Sequence, residues 1–240
     1  MTRILIIMPA LNEEESLRAT LKELREVVDG PDILVIDDGS TDATAEVARR
    51  AGALSAQLPF TLGVGGAVRV GLHYAQRNSY DRAVVIDADG QHDPAGITAL
   101  LEALDHGADM AVGSRFAAGT DHYPVGRTRR QAMRFLGAIV RALTGQRFSD
   151  VTSGFRAFDR PVIELLAREY PVEYLADTVE ALLLVRYAGF RVDEVPISMR
   201  PRAAGEPSTR RVKLVINYLR LLIGILGSAS RRARLRKDEA

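Results

Sequence analysis

Three short runs, residues 3–8, 33–37 and 83–87, are almost wholly apolar, and each breaks off into a loop crowded with polar and acidic side chains. A strand that is apolar on both faces must be covered on both faces, so these runs belong to a mostly parallel sheet flanked by helices. After the first run Asn12 is set to cap a helix, with Glu15 three residues on and Leu17, Leu21, Leu24 and Val28 at helical spacing. A second helix is expected after Ser40-Thr41-Asp42, and a third from Gly65 or Gly66 to about Gln76. The uncharged stretch 51–68 carries Pro59 and four glycines, and reads as a strand and a glycine loop, not as a membrane span. The expected fold is α/β, a single Rossmann-like domain.

In such a sheet ligands bind outside the carboxyl ends of the strands, so chemistry is sought in the loops that follow them. The third loop reads Asp87-Ala88-Asp89-Gly90-Gln91. Two carboxylates there suit Mg²⁺ or Mn²⁺ held together with substrate phosphates, because such ions prefer oxygen and take few protein carboxylates. In the second loop Asp37 and Asp38 are adjacent and point to opposite faces, so one of them faces a ligand and can accept hydrogen bonds from a base or a ribose. Ser40 or Asp42 there can also cap the next helix. The segment 62–71 is glycine-rich but lacks Gly-x-Gly-x-x-Gly spacing, which disfavours a dinucleotide oxidoreductase. Its small residues with Arg69 can let the backbone approach a nucleotide, or can pack helix on sheet.

Composition narrows the chemistry. The 240 residues, 47% hydrophobic and 26% charged, are enough for a core that needs no covalent staple. With no Cys, disulfides, thiolate zinc sites, iron–sulfur clusters and cysteine nucleophiles are excluded, and a metal must be held by oxygen or by the four His. A net charge of +1 conceals a basic end, where Arg231, Arg232, Arg234, Arg236 and Lys237 point to an anionic surface. Neither a secretory leader nor a membrane-spanning helix is expected.

Taken in order, Pro9-x-Leu11-Asn12-Glu13, Ile36-Asp37-Asp38-Gly39-Ser40, the glycines from 63 to 71, Asp87-Ala88-Asp89-Gly90-Gln91-His92-Asp93-Pro94, Gly113-Ser114-Arg115-Phe116 and Asp150-x-Thr152-Ser153-Gly154-Phe155-Arg156 form a constellation. It resembles the family 2 glycosyltransferases, and most of all their polyprenyl-phosphate (dolichyl-phosphate) mannosyltransferase branch, over roughly residues 3–210. The resemblance implies a GT-A fold, a nucleotide-sugar donor, a divalent cation, Mg²⁺ or Mn²⁺, and a lipid phosphate acceptor. Carried over by position, Pro9, Leu11, Glu13, Ile36 and Asp38 line the nucleotide pocket. Asp87, Ala88, Asp89 and Gln91 bind the metal and the donor diphosphate, and Arg115 serves the phosphates or the sugar. Family members carry an Arg, a Gly three residues on, and then Ser–Lys; here Arg202 and Gly205 precede Ser208, and Arg210 or Arg211 stands in for the lysine, so that Arg202, Ser208 and Arg210 are the implied acceptor-phosphate contacts.

The implied reaction needs few further groups. Positive charge develops at the anomeric carbon while a nucleoside diphosphate departs. A phosphate monoester acceptor is largely dianionic at pH 7 and attacks without a general base. A hydroxyl acceptor needs one, for which Asp177 and Glu180, at the start of an apolar helix ending near Ala188, are the carboxylate candidates. In-line displacement inverts the anomeric centre. The base, GDP or UDP, and the sugar, mannose or glucose, are left open, and a hydroxyl-acceptor enzyme and a non-catalytic nucleotide-sugar-binding module are kept as alternatives.

Two stretches suggest a membrane surface. In 212–226 Lys213, Asn217, Arg220 and Gly224 make a narrow polar stripe on an aliphatic helix, and in 131–143 Met133, Leu136, Ile139, Val140 and Leu143 alternate with arginines including Arg134 and Arg141. The expected division is a GT-A domain, 1–210, followed by an amphipathic interfacial helix and basic tail, 211–240. The expected location is the cytoplasmic, inner face of a membrane, with a separate integral membrane partner and no nucleic acid.

Overall fold

The computed structural model describes residues 2–117, 127–171 and 177–200. Its first half builds β1 (Ile4–Ala10), α1 (Glu14–Val27), β2 (Asp32–Asp37), α2 (Thr44–Arg50), β3 (Leu54–Gln57), α3 (Val64–Arg77) and β4 (Arg82–Val85). The second half adds α4 (Gly96–Asp105), β5 (Met110–Ser114), α5 (Arg127–Thr144), β6 (Arg156–Asp159), α6 (Arg160–Glu169), α7 (Asp177–Tyr187) and β7 (Val192–Pro196). The seven strands form one sheet in the order β3-β2-β1-β4-β6-β5-β7. Only β6 runs against its neighbours, antiparallel to both β4 and β5.

The apolar runs are explained by the two layers they serve. Leu5, Ile7, Leu34, Ile36 and Val85 pack on the face covered by α3, α6 and α7, whereas Ile6, Met8, Val35, Val84 and Ile86 pack on the face covered by α1 and α4. Successive strand residues alternate faces, so both must be apolar. Strand order reverses direction between β1 and β4, since β2 and β3 lie to one side of β1 and β4 to the other. That switch point leaves a crevice at the carboxyl ends of β1, β2 and β4.

One local expectation is corrected, and of the two readings of the glycine segment the packing one is supported. Asn12 does not cap α1: it adopts φ 55°, a left-handed conformation that asparagine tolerates and a helix N-cap does not use. Its backbone N–H donates to Ser40 Oγ at 2.9 Å and its Oδ1 accepts the Thr41 N–H at 2.9 Å, so it staples the first loop to the second. The glycines from 63 to 71 pack elements. A Cβ on Gly71 would stand 2.4 Å from Ile7 Cγ2 of β1, and one on Gly65 would stand 2.6 Å from the Pro171 carbonyl oxygen. Arg69 donates to the Ala167 and Arg168 carbonyls at the end of α6 instead of facing the crevice.

Candidate active site

The crevice is floored by the ends of β1 and β2. Pro9 pairs with Ile36 and Ala10 with Asp37, which sets the acidic pair level with the end of β1. Of the residues expected at the nucleotide pocket, Leu11 is exposed at the rim and Glu13 is half-buried, accepting the Ser16 hydroxyl at 2.6 Å. Pro9 is buried, and Ile36 is fully buried in the α3-side core.

Asp37 and Asp38 divide their work. Asp38 accepts the Leu62 N–H at 2.7 Å and the Gly63 N–H at 2.8 Å, one on each carboxylate oxygen, and so anchors the loop that opens α3. Burial holds its carboxyl above the usual aspartate range against those two amides, with Asp37 adding to the rise. Asp37 is fully buried; its Oδ1 accepts the Ser40 N–H at 2.9 Å, while Oδ2 has no partner. A buried carboxylate oxygen without a donor is costly and marks a place where a ligand N–H or O–H fits.

The acidic loop follows β4 directly. Asp87 is half-exposed, its side chain 42% accessible, whereas Asp89 is buried and its Oδ1 accepts the Gln91 N–H at 3.0 Å. Ala88 is buried, with its carbonyl accepting Thr20 Oγ1. His92 Nδ1 stands 3.5 Å from Asp87 Oδ2, and its ring packs on Phe155 at 5.0 Å. The Gln91 side chain turns toward the Arg200 carbonyl, 3.4 Å away. Among the described residues no three acidic or His side chains converge into a cage. A pair of hard carboxylates beside a crevice fits Mg²⁺ or Mn²⁺, ions that draw the rest of their shell from phosphates and water.

Tertiary structure brings two further groups to this edge. Asp177, at the start of α7, is 5% exposed and lies against α3, where a Cβ on Gly65 would meet its Oδ2 at 3.2 Å. Burial raises its carboxyl to about 6; the Thr178 amide and Arg156 pull it down, and Asp87 pushes it up. Glu180, one turn later, is also buried. Arg115, just past β5, is gripped by Asp150: Nε donates to Oδ2 at 2.6 Å and Nη2 to Oδ1 at 2.8 Å, with Thr152 Oγ1 at 3.0 Å. Arg115 holds Asp150 well below the usual carboxylate range despite its burial.

Sequence reasoning assigned no role to Asp150, Thr152 or Arg156, although all three stand in the motif that follows α5. It also missed Arg200, which donates to Glu23 at 2.5 Å, lies 3.2 Å from Asp93, and bonds the Gln91 carbonyl through its backbone N–H. Nothing in local spacing announces these long-range partners. The expected acceptor contacts Arg202, Ser208 and Arg210, the helix at 212–226 and the basic tail lie outside the described residues.

A mostly parallel, doubly wound sheet with an acidic loop at its switch point is the architecture of the GT-A fold. The Glycosyl transferase family 2 profile matches residues 5–166, and the chain belongs to that family. It is 33% identical over 214 residues to the undecaprenyl-phosphate mannosyltransferase of Micrococcus luteus, covering 85% of this chain and 86% of that one. It is 32% identical over 211 residues to the polyprenol monophosphomannose synthase of Mycolicibacterium smegmatis, covering 85% and 79%. Among solved structures, glucosyl-3-phosphoglycerate synthase from Mycobacterium tuberculosis, in complex with Mn²⁺, UDP and glucosyl-3-phosphoglycerate, shares the fold. Its TM-score is 0.73 at 23% identity, over 94% of this chain and 79% of that one.

Proposed function

We propose that the protein transfers a hexose, mannose or glucose, from a GDP- or UDP-linked donor to polyprenyl phosphate with inversion. The observation that carries this reading is the pairing of Asp87 and Asp89 at the switch point of a chain related over most of its length to enzymes named for polyprenyl-phosphate mannosyl transfer. Asp37 Oδ2 accepts an N–H of the base, and Leu11 borders it. Asp87 and Asp89 hold the divalent cation, with Gln91 close by; when bound, the ion neutralises charge on the departing diphosphate. An acceptor phosphate oxygen forms the new bond to the anomeric carbon as the bond from that carbon to the nucleoside diphosphate breaks, and no proton has to move. Arg115, fixed by Asp150, contributes positive field at this edge, and Arg202, Ser208 and Arg210 receive the acceptor phosphate.

Access for a lipid acceptor is consistent with α5, which carries no acidic residue and exposes Arg134, Phe135 and Arg141, with Phe135 63% accessible. An exposed ring between arginines suits the headgroup region of an anionic membrane. The described residues include no helix long and apolar enough to cross a membrane. The sequence pattern of 211–240, aliphatic with a polar stripe and a basic end, supports reading it as an interfacial segment beyond the catalytic domain, on the inner membrane face and beside an integral membrane partner.

A second reading is favoured by one observation. Asp177, with its carboxyl raised to about 6, is suited to take a proton near neutral pH, as a hydroxyl acceptor requires. Glu180 is the alternative base. The deciding experiment offers labelled GDP- and UDP-sugars with Mg²⁺ or Mn²⁺, with and without polyprenyl phosphate, and follows label into an organic-extractable product. Lipid-dependent label is expected; donor consumption only with a glycan acceptor would establish the second reading instead.

A further inference from the structure

Arg156 heads the fully buried side chains of the described residues by volume, at 1% exposure, and the mechanism above makes no use of it. It opens β6 beside Val85 at the end of β4 and Val112 of β5, directly beneath the acidic loop and Arg115. Among the described residues its guanidinium bonds no carboxylate. Nε donates to the Ser153 carbonyl at 2.7 Å, Nη2 to the Val151 carbonyl at 3.2 Å, and Nη1 to the Thr178 carbonyl at 2.6 Å. The first two carbonyls belong to the loop whose Asp150 and Thr152 hold Arg115, and the third lies one residue past Asp177 in α7.

We propose that Arg156 is a positioning residue for sugar transfer, a three-carbonyl clamp that fixes the loop behind Arg115 and the first turn of α7 as one unit. This rests on the transferase reading of the same site. Burying a guanidinium is expensive, and a core position is ordinarily served more cheaply by an apolar side chain. What an apolar side chain cannot do is bond main-chain groups on two separate segments at once. The planar fork spans them, whereas a lysine ammonium is a point donor that satisfies only part of the set. The loop fixes Arg115, and the first turn of α7 carries Asp177, the base of the hydroxyl-acceptor reading; displacement of groups at a reacting centre by about 1 Å costs on the order of 10²-fold in rate. The base-binding end, around Asp37 and Asp38, is anchored separately through Leu62, Gly63 and Ser40.

The test uses the full-length protein and the variants Arg156→Lys and Arg156→Gln. Transfer kcat is expected to fall at least about tenfold in Arg156→Lys, with nucleotide Kd, read with GDP and UDP, within about threefold of wild type. Hydrogen exchange is expected to rise together in 150–154 and 177–182 and to stay unchanged in α1. A folded lysine variant with wild-type kcat, or a rise in exchange in one segment alone or throughout the chain, would overturn the clamp. If Lys unfolds, Arg156→Gln is read by the same criteria. Should wild type transfer no sugar to any acceptor offered, the functional reading fails by itself, and the paired exchange still decides whether the clamp exists.

Discussion

Arg115 and Asp150, 35 residues apart in sequence, close on each other through two parallel hydrogen bonds at the carboxyl edge of the sheet, with the carboxylate fully buried and the arginine side chain 11% exposed. The pair is in turn held from β7, where Glu194 accepts the Ser149 and Asp150 N–H groups at 2.8 and 2.9 Å. Removing Arg115 leaves the Asp150 carboxylate fully buried without its counter-charge, and removing Asp150 takes away the bidentate partner of the guanidinium. Asp150→Asn and Arg115→Met are each expected to cost about 3–5 kcal/mol, with the double variant far less destabilised than their sum. Urea unfolding of the three variants checks this.

Asp177 makes stability depend on pH. Its folded value, about 6, lies above the usual 3.8, so the folded state favours the protonated form. The resulting stabilisation is complete below pH 4 and is lost as pH rises through 6, at most about 3 kcal/mol. Denaturation of wild type and Asp177→Asn without added divalent cation should diverge over that window, the variant keeping its stability while wild type declines.

Gly65→Ala is expected to destabilise by about 1–3 kcal/mol, because its methyl group would stand 2.6 Å from a backbone oxygen that has no rotamer to yield. The displaced segment leads to Asp177, so transfer should fall more than nucleotide affinity. Thermal unfolding and a donor titration separate the two effects.

Asp37→Asn tests the orphan oxygen. Stability should hold or rise, since the substitution relieves a buried carboxylate oxygen without a donor, while nucleotide affinity should drop about tenfold or more as an NH₂ meets the base donor. Calorimetric titration with GDP and UDP, beside a melting curve, reads both.

Asp89→Ala is expected to reduce transfer by on the order of 10²–10³ with the melting temperature little changed. Mn²⁺ binding followed by electron paramagnetic resonance should weaken in parallel. Substantial turnover would remove Asp89 from the cation site.

Much of this molecule is legible along the chain. The runs at 3–8, 33–37 and 83–87 become β1, β2 and β4 with ends shifted by no more than two residues, because a strand covered on both faces must be apolar throughout and that pattern is local. The Asp87-Ala88-Asp89 loop could be set at the ligand edge for the same reason, since it begins where an apolar strand stops. What depended on distant partners was not legible. Ile36 turned into the core under helix α3, and Asp37, on the other face of β2, was buried with one carboxylate oxygen unpartnered. Asn12 staples the second loop, Arg69 caps α6, and β6 enters the sheet in reverse between β4 and β5. The α/β class, the strand ends and the acidic residues offered there are written along the chain, all consequences of periodicity and of backbone groups that must be satisfied locally. Which of those residues meet, Arg115 with Asp150, Arg156 with Thr178, Asp177 with the start of α3, emerges on folding, because pairings across tens of residues are selected by packing in three dimensions and leave no periodic trace in one.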